Sequence, residues 1–185
     1  MIEYYGYNLL KKYLFDGCSI IELGNQIMNL EECQGTPAKD FIPCGTHTSI
    51  DQNGLNGALK LSLCEPIKLD FKSDIVTDFG TTEHVENLFE CLSNVFDFCK
   101  AGGVMVHKNP KTGNFPDHGF HFFTVEFWNE YATLCGLKVE LIEEHAIYHN
   151  TIDGWEVIAV LRKTKRSKKI SKEGFESIKH LVKNV

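Results

Sequence analysis

The sequence predicts an α/β fold: a mostly parallel sheet, covered on both faces, that ends in an antiparallel pair. Three observations carry this. Apolar strand-like segments alternate with segments of helical periodicity along most of the chain, which calls for a parallel sheet between helices. The segments SIIEL, DIVTDF and VMVHKN each contain adjacent apolar residues (Ile20-Ile21, Ile75-Val76 and Val104-Met105-Val106), as strands buried on both faces do. The final two segments, LKVELIEEH and WEVIAVLRK, are joined by only AIYHNTIDG. That leaves no room for a helical crossover, so the two pair antiparallel.

Each element has a local reason. Tyr4, Tyr5, Leu9, Leu10, Tyr13 and Leu14 fall at helical spacing and predict a helix over 3–15. A strand follows at 18–23. Residues 25–45 are irregular, with Gly35, Pro37 and Pro43 as breakers. Strands are expected at 47–51 and, shorter, at 59–63 (LKLSL). The strongly apolar strand 74–80 leads to a helix over 84–99, which carries Val85, Leu88, Phe89, Leu92, Val95, Phe96 and Phe98 at helical spacing. Ala101-Gly102-Gly103 ends it, and a strand follows at 104–109. A loop rich in Pro, Gly and His spans 110–123, and TVEFWNEYATLC, 124–135, forms a helix stopped at Gly136. Asp153-Gly154 supplies the expected turn between the last two strands.

The bulk numbers bound the class. A chain of 185 residues, 43% hydrophobic and 24% charged, is an ordinary globular composition and is read as one domain over 1–165. No apolar run approaches the roughly 20 residues that span a bilayer, and the N-terminal segment lacks the basic start and apolar block of a signal peptide. The seven cysteines include no C-x-x-C pair. Cys18, Cys64, Cys91, Cys99 and Cys135 lie in or beside apolar segments and read as reduced core residues, which points to the cytoplasm. Charge is uneven: residues 162–185 carry nine Lys or Arg and two Glu, a net +7 against −13 for the rest. Residues 166–185 are therefore expected to form a basic C-terminal helix or tail. It is either a solvated terminal helix or a contact for nucleic acid or an anionic surface.

Four segments, spanning 18 to about 163, together resemble the class I S-adenosylmethionine-dependent methyltransferases. IIELGNQ resembles the first-strand motif, apolar-apolar-acidic-x-Gly. SIDQNG resembles a second strand ending in an acidic residue. DIVTDFGTTEHVENL resembles the fourth strand and its Glu-His sequel, and CKAGGVMVHKNP resembles the entry to the fifth strand. The resemblance implies a Rossmann-like three-layer α/β/α sandwich with a seven-stranded sheet, the last strand antiparallel. It implies S-adenosylmethionine as cofactor, bound at the carboxyl ends of the strands where strand order reverses. Gly24, without a side chain, lets backbone approach the cofactor. Glu22 would meet the methionine ammonium, and Asn25 and Gln26 the amino-acid end. Asp51, with Gln52 beside it, would accept the ribose hydroxyls. Leu61 and Ser62 would flank the adenine, although many members have an acidic residue where Ser62 stands. Asp78, Phe79 and Gly80 would face the methyl donor. This cofactor has no pyrophosphate, so a single glycine in the loop can suffice.

The histidines suggest further chemistry. His84, His118 and His121 are candidates for a catalytic base, since methyl transfer to oxygen or nitrogen needs the acceptor's proton removed. Glu83, His84 and His118 match three positions of the Glu-x-x-Glu-His…His set with which some methyltransferases hold a divalent ion. The first Glu falls at Gly80, so that match is incomplete. Carboxylate with imidazole suits a transition metal better than magnesium. The same residues have plain alternatives: Glu83 as a helix-terminus charge, and the histidines as core or surface side chains.

The expected activity is therefore methyl transfer from S-adenosylmethionine to a small-molecule or sugar acceptor at oxygen, nitrogen or carbon. Acceptor recognition is expected from segments 1–17, 25–45 and 110–123. Two alternatives remain open: a methyltransferase-like binding protein without catalysis, and a metal-dependent RNA 2′-O-methyltransferase using the basic tail. A nicotinamide dehydrogenase is disfavoured, because G-x-G-x-x-G is lacking.

Overall fold

In the computed structural model, residues 1–115, 117–149 and 152–183 are described. Six strands form one sheet: β1 (Ser19–Leu23), β2 (Thr46–Ile50), β3 (Ser73–Phe79), β4 (Cys99–Pro110), β5 (Lys138–His149) and β6 (Ile152–Arg162). Their order is β2-β1-β3-β4-β6-β5. The pairs β1–β2, β1–β3 and β3–β4 are parallel, while β4–β6 and β5–β6 are antiparallel. Strand order reverses between β1 and β3, which places a crevice at the carboxyl ends of these two strands.

Side chains alternate across the sheet as strand geometry requires. Ile20, Ile75, Val104, Val106, Ile158 and Val160 bury one face under Leu9 and Leu10 of helix α1 (Tyr4–Lys11), and under Met28, Leu30 and Ile42 of the irregular segment. The short helix α2 (Ala38–Phe41) lies within that segment. Ile21, Leu23, Val76, Met105, Val157, Ala159 and Leu161 pack on the other face. They meet helices α3 (Leu88–Phe98), α4 (Val125–Cys135) and α5 (Lys172–Ile178). Thr124 caps α4 by accepting the Phe127 N–H at 3.0 Å, and Gly136 ends it at φ +61. All seven cysteines are free.

The structure corrects the expected outline in four places. The strand at 59–63 is reduced to a single bridge between Leu59 and Ile50, so six strands stand among the described residues rather than seven. The sequence LKLSL alternates, but its backbone groups bond within the segment, Leu61 N–H to the Leu59 carbonyl at 3.0 Å and Glu65 N–H to the Ser62 carbonyl at 3.2 Å, and are not offered to a ladder. The helix expected from 84 begins at Leu88, because Thr82–His84 form a separate 3-10 turn. Asp153-Gly154 is not the turn: the β5–β6 ladder continues until His149 faces Ile152. Gly154 instead makes room for the Phe115 ring, which an added Cβ would meet at 2.3 Å.

The last correction concerns the C-terminal segment. Residues from 166 contain the expected helix, but they are not an appendage. Ile170, Phe175 and Ile178 belong to the core, and Lys183 exchanges both backbone hydrogen bonds with Phe122. Several of the basic groups have protein partners. Lys163 Nζ donates to the Phe96 and Cys99 carbonyls, Arg162 pairs with Glu140, Lys169 with Asp97 and Lys179 with Glu176. Among the described residues, no helix is long and apolar enough to cross a membrane.

Candidate active site

The crevice between β1 and β3 holds a cleft of about 380 Å³. Gly24, Asn25, Gln26, Asp51, Gln52, Leu61, Gly80 and His84 line it, and so do Thr81, Val85 and Leu63. Gly24, Asp51 and Gly80 each stand one residue beyond the end of a parallel strand, which is why they converge. The Gly24 N–H donates to the Ile50 carbonyl at 2.8 Å and joins the first two strand ends. Gly24 has φ +76, and an added Cβ would stand 2.6 Å from Thr81 Oγ1 and 2.8 Å from Gln26 Nε2. A side chain there would have to displace Thr81 and Gln26 while adopting a strained backbone.

Asp51 is held in advance. Its Oδ2 accepts the Asn25 N–H at 2.9 Å and its Oδ1 the Asn53 N–H at 2.8 Å. An ionised carboxylate has about four acceptor sites, so each oxygen can take a further hydroxyl. Leu61 lines the cleft wall, whereas Ser62 is absent from its lining, and its hydroxyl accepts the Cys64 N–H at 3.3 Å.

Three expected cofactor contacts are placed differently. Glu22 is 1% exposed and lies beneath the cleft. Its oxygens take the Gln26 N–H (3.1 Å), the Ser49 hydroxyl (2.8 Å) and His47 Nε2 (3.2 Å). The Gln26 side-chain amide is spent on the Leu23 carbonyl and Thr81 Oγ1. Asp78 is fully buried on the α3 and α4 side of the sheet. It accepts from the Thr81 and Thr82 N–H groups, the Thr82 hydroxyl, Asn109 Nδ2 and His107 Nδ1. Burial by itself raises its pKa, but these partners, His107 foremost, outweigh burial and hold it below the usual carboxylate range. Asp78 is the hub of the strand end rather than a cleft group.

A second cavity of about 470 Å³ adjoins the first and shares Gly80 and His84 with it. Phe79, Pro110, Phe115 and Ile147 give it apolar walls, and Glu3, Glu83, Lys108, His118 and Glu156 supply polar groups. Glu83 is almost wholly buried there, with Asn109 Nδ2 donating to Oε2 at 3.2 Å. Burial, with the charge of Asp78 second, pushes its carboxyl up to about 8. His118 Nε2 and His84 Nε2 stand 3.8 and 4.0 Å from Glu83 Oε1, and the two imidazole rings are 4.8 Å apart. The ligand atoms of Glu83, His84 and His118 all lie within 4.8 Å of one another, so the three residues expected to hold a metal are brought together. Burial, and next the neighbouring His118, lower the His84 pKa, which favours the neutral ring that can accept a proton or ligate. His121 is placed elsewhere. Its Nε2 lies 2.9 Å from the Val85 carbonyl, and it lines a separate 720 Å³ cavity between the start of α3 and the C-terminal segment.

Sequence reasoning missed Thr81, Val85 and Leu63 in the first cleft, and Lys108 and Glu156 in the second. Thr81 follows the noted Asp78-Phe79-Gly80, but no spacing rule marks a threonine whose hydroxyl bonds a carbonyl 58 residues away, that of Leu23 at 2.9 Å.

Comparison with solved structures bears on this geometry. Burkholderia thailandensis 1,6-didemethyltoxoflavin-N1-methyltransferase, solved with 1,6-didemethyltoxoflavin and S-adenosylhomocysteine, superposes with a TM-score of 0.64 at 12% identity. The match covers 85% of this chain and 76% of that one. The N-methyltransferase NodS of Bradyrhizobium japonicum, in complex with S-adenosylhomocysteine, gives 0.56 at 14% identity over 85% and 84%. A SAM-dependent methyltransferase of Methanosarcina mazei gives 0.54 at 13% identity over 85% and 98%. The chain has the class I methyltransferase fold. No family model matches the sequence, and no curated protein does. Within the methyltransferase fold, the crevice over Gly24 and Asp51 is at the topological switch point, where open α/β sheets take their ligands.

Proposed function

We propose that the protein transfers a methyl group from S-adenosylmethionine, held over Gly24 and Asp51, to a small molecule in the adjoining cavity. The single observation that carries this is the pair of connected cavities at the carboxyl ends of β1 and β3. One holds a preset carboxylate able to accept a ribose diol; the other is a half-apolar chamber meeting the first at Gly80 and His84. The neighbouring fold members solved with S-adenosylhomocysteine support the cofactor.

In the proposed step the acceptor's lone pair attacks the sulfonium methyl in line. The carbon–sulfur bond breaks as the new bond to the acceptor forms, and the sulfonium becomes the neutral thioether of S-adenosylhomocysteine. Holding the two reactants in line supplies most of the acceleration. An oxygen or nitrogen acceptor loses its proton to a base, and the candidates are His84, which lines both cavities, and His118 in the acceptor cavity beside it.

Incubation with S-adenosylmethionine and a small-molecule cell extract, followed by measurement of S-adenosylhomocysteine, tests the reading. Product that accumulates with the wild type and not with Asp51→Ala supports it. Cofactor binding without product in any extract would favour a binding protein that does not catalyse.

The convergence of Glu83, His84 and His118 favours a second reading, in which these three residues hold a divalent transition-metal ion at the acceptor side and the two histidines are ligands in place of bases. Such an ion would supply a Lewis acid near the acceptor. Titration with Co²⁺, followed by its visible absorption, should give a one-to-one complex that His84→Ala with His118→Ala abolishes. An unchanged spectrum in that variant would contradict it.

A further inference from the structure

We infer that the acceptor carries a planar aromatic ring and that Phe115 is the residue that selects it. The inference rests on the methyl-transfer reading above and names its acceptor class.

Phe115 stands at φ +54, a left-handed backbone that a bulky residue rarely takes. Such strain persists only where the surroundings impose it, and it gathers at ligand-binding positions. Here both flanks of the turn are tied down. Before it, the Lys111 N–H donates to the Trp155 carbonyl at 2.9 Å and the Trp155 N–H to Asn114 Oδ1 at 3.2 Å. After it, the His118 N–H returns to the Phe115 carbonyl at 3.1 Å, and the Phe120 N–H donates to the Glu83 carbonyl at 2.7 Å. Gly154 completes the seat, because the tip of the Phe115 ring occupies the space that a Cβ at 154 would fill.

The ring so fixed is half-buried and lines the acceptor cavity. A row of rings runs from it along the cavity. The Phe115 and His118 centroids are 6.0 Å apart with the planes tilted by 51°, and those of His118 and His84 are 4.8 Å apart with a tilt of 59°. The His118 and His84 side chains are 49% and 48% exposed, so this row is open to a ligand. It ends at His84, which also lines the donor cleft. Aromatic rings prefer offset or tilted neighbours with centroids 4.5–7 Å apart. The three rings already keep that spacing. A planar ring laid beside them extends the same packing and brings one edge to the junction where the methyl group arrives. A saturated ring of equal size has no π face to offer.

The test uses the full chain saturated with S-adenosylhomocysteine in EDTA, and affinities are read by NMR titration. The probes are three matched pairs: phenol and cyclohexanol, benzamide and cyclohexanecarboxamide, benzyl alcohol and cyclohexylmethanol. Both members of a pair are uncharged and carry the same polar group. Met1, Glu3, Glu83, Lys108 and Glu156, which also line the cavity, therefore act on the two members alike. In at least two pairs the aromatic member is expected to bind about threefold or more tightly than its saturated partner. Phe115→Leu keeps the apolar bulk and should bring that ratio close to one, whereas Phe115→Tyr keeps the ring and should retain it. Both variants should bind S-adenosylhomocysteine as the wild type does. A merely structural role for Phe115 would weaken all probes together and leave the ratio in place. The proposal is overturned if fewer than two pairs show the preference in the wild type, if Phe115→Leu retains it, or if Phe115→Tyr loses it. The wild-type ratio decides alone should Phe115→Leu not fold. Failure to bind S-adenosylhomocysteine at all would overturn the methyl-transfer reading itself.

Discussion

The Asp51 carboxylate accepts the backbone N–H of Asn25 at 2.9 Å and so ties the end of β2 to the loop that leaves β1. Its second oxygen holds the Asn53 N–H, so the group is oriented before any ligand arrives. In Asp51→Ala both amides lose their acceptor. A hydrogen bond of net worth near 1 kcal/mol corresponds to about a fivefold change in protection. Hydrogen exchange followed by NMR should show Asn25 and Asn53 exchanging faster by about that factor, with the β3 and β4 amides unchanged. Unchanged protection at Asn25 would contradict this arrangement.

Gly24 carries a backbone that other residues rarely adopt, and an added Cβ would stand 2.6 Å from Thr81 Oγ1, so that the Thr81 side chain would have to shift. Gly24→Ala combines a left-handed penalty with a clash, for a loss of about 2–4 kcal/mol. Thermal unfolding should show it, and S-adenosylhomocysteine should bind measurably more weakly to the fraction that folds. A variant as stable as the wild type would show that the Gly24–Thr81 approach is not tight.

Asp78 was expected at the methyl donor and is instead the buried acceptor of five hydrogen bonds. Asp78→Asn replaces acceptor sites with donors that face N–H groups. Unfolding by urea should register a loss of about 3–5 kcal/mol, typical of a broken buried pair. A variant of normal stability with weakened cofactor binding would reverse this assignment.

Lys163 belongs to the basic stretch 162–185, and its ammonium closes the end of α3 through the carbonyls of Phe96 and Cys99. Lys163→Met strands both carbonyls, at a cost of about 1–3 kcal/mol. Burial, and secondly Lys72, lower its pKa from 10.5. The unfolded chain therefore holds its proton to higher pH than the folded one. The wild type's advantage over Lys163→Met should be greatest above pH 10.5 and should shrink as pH falls through the lowered value. A difference that grows on acidification would contradict the buried ammonium.

What the sequence discloses, and what it hides, follows from the kind of interaction. The positions of Gly24, Asp51 and Gly80 are legible because each ends an apolar strand, and a parallel sheet brings strand ends together. Glu83, His84 and His118 are also brought together, although His118 lies 34 residues beyond His84 on a loop. The role of Glu22 is not legible: an acidic residue ending a strand looks the same whether its oxygens face a ligand or, as here, His47 and Ser49. The Lys108–Glu156 pair is hidden because it depends on antiparallel register across 48 residues. The vanished strand at 59–63 is hidden because its alternation is intact and only its pairing is lost. His121 looked equivalent to His118, but three residues along an irregular loop turn it to a different cavity.

Calorimetric titration of the full chain with S-adenosylhomocysteine, repeated on Asp51→Asn, tests the central claim most directly. One site per chain is expected, with affinity falling by about tenfold or more when the carboxylate charge is removed from a hydroxyl contact. No heat at millimolar ligand, or equal affinity in Asp51→Asn, would contradict a cofactor held over Gly24 and Asp51.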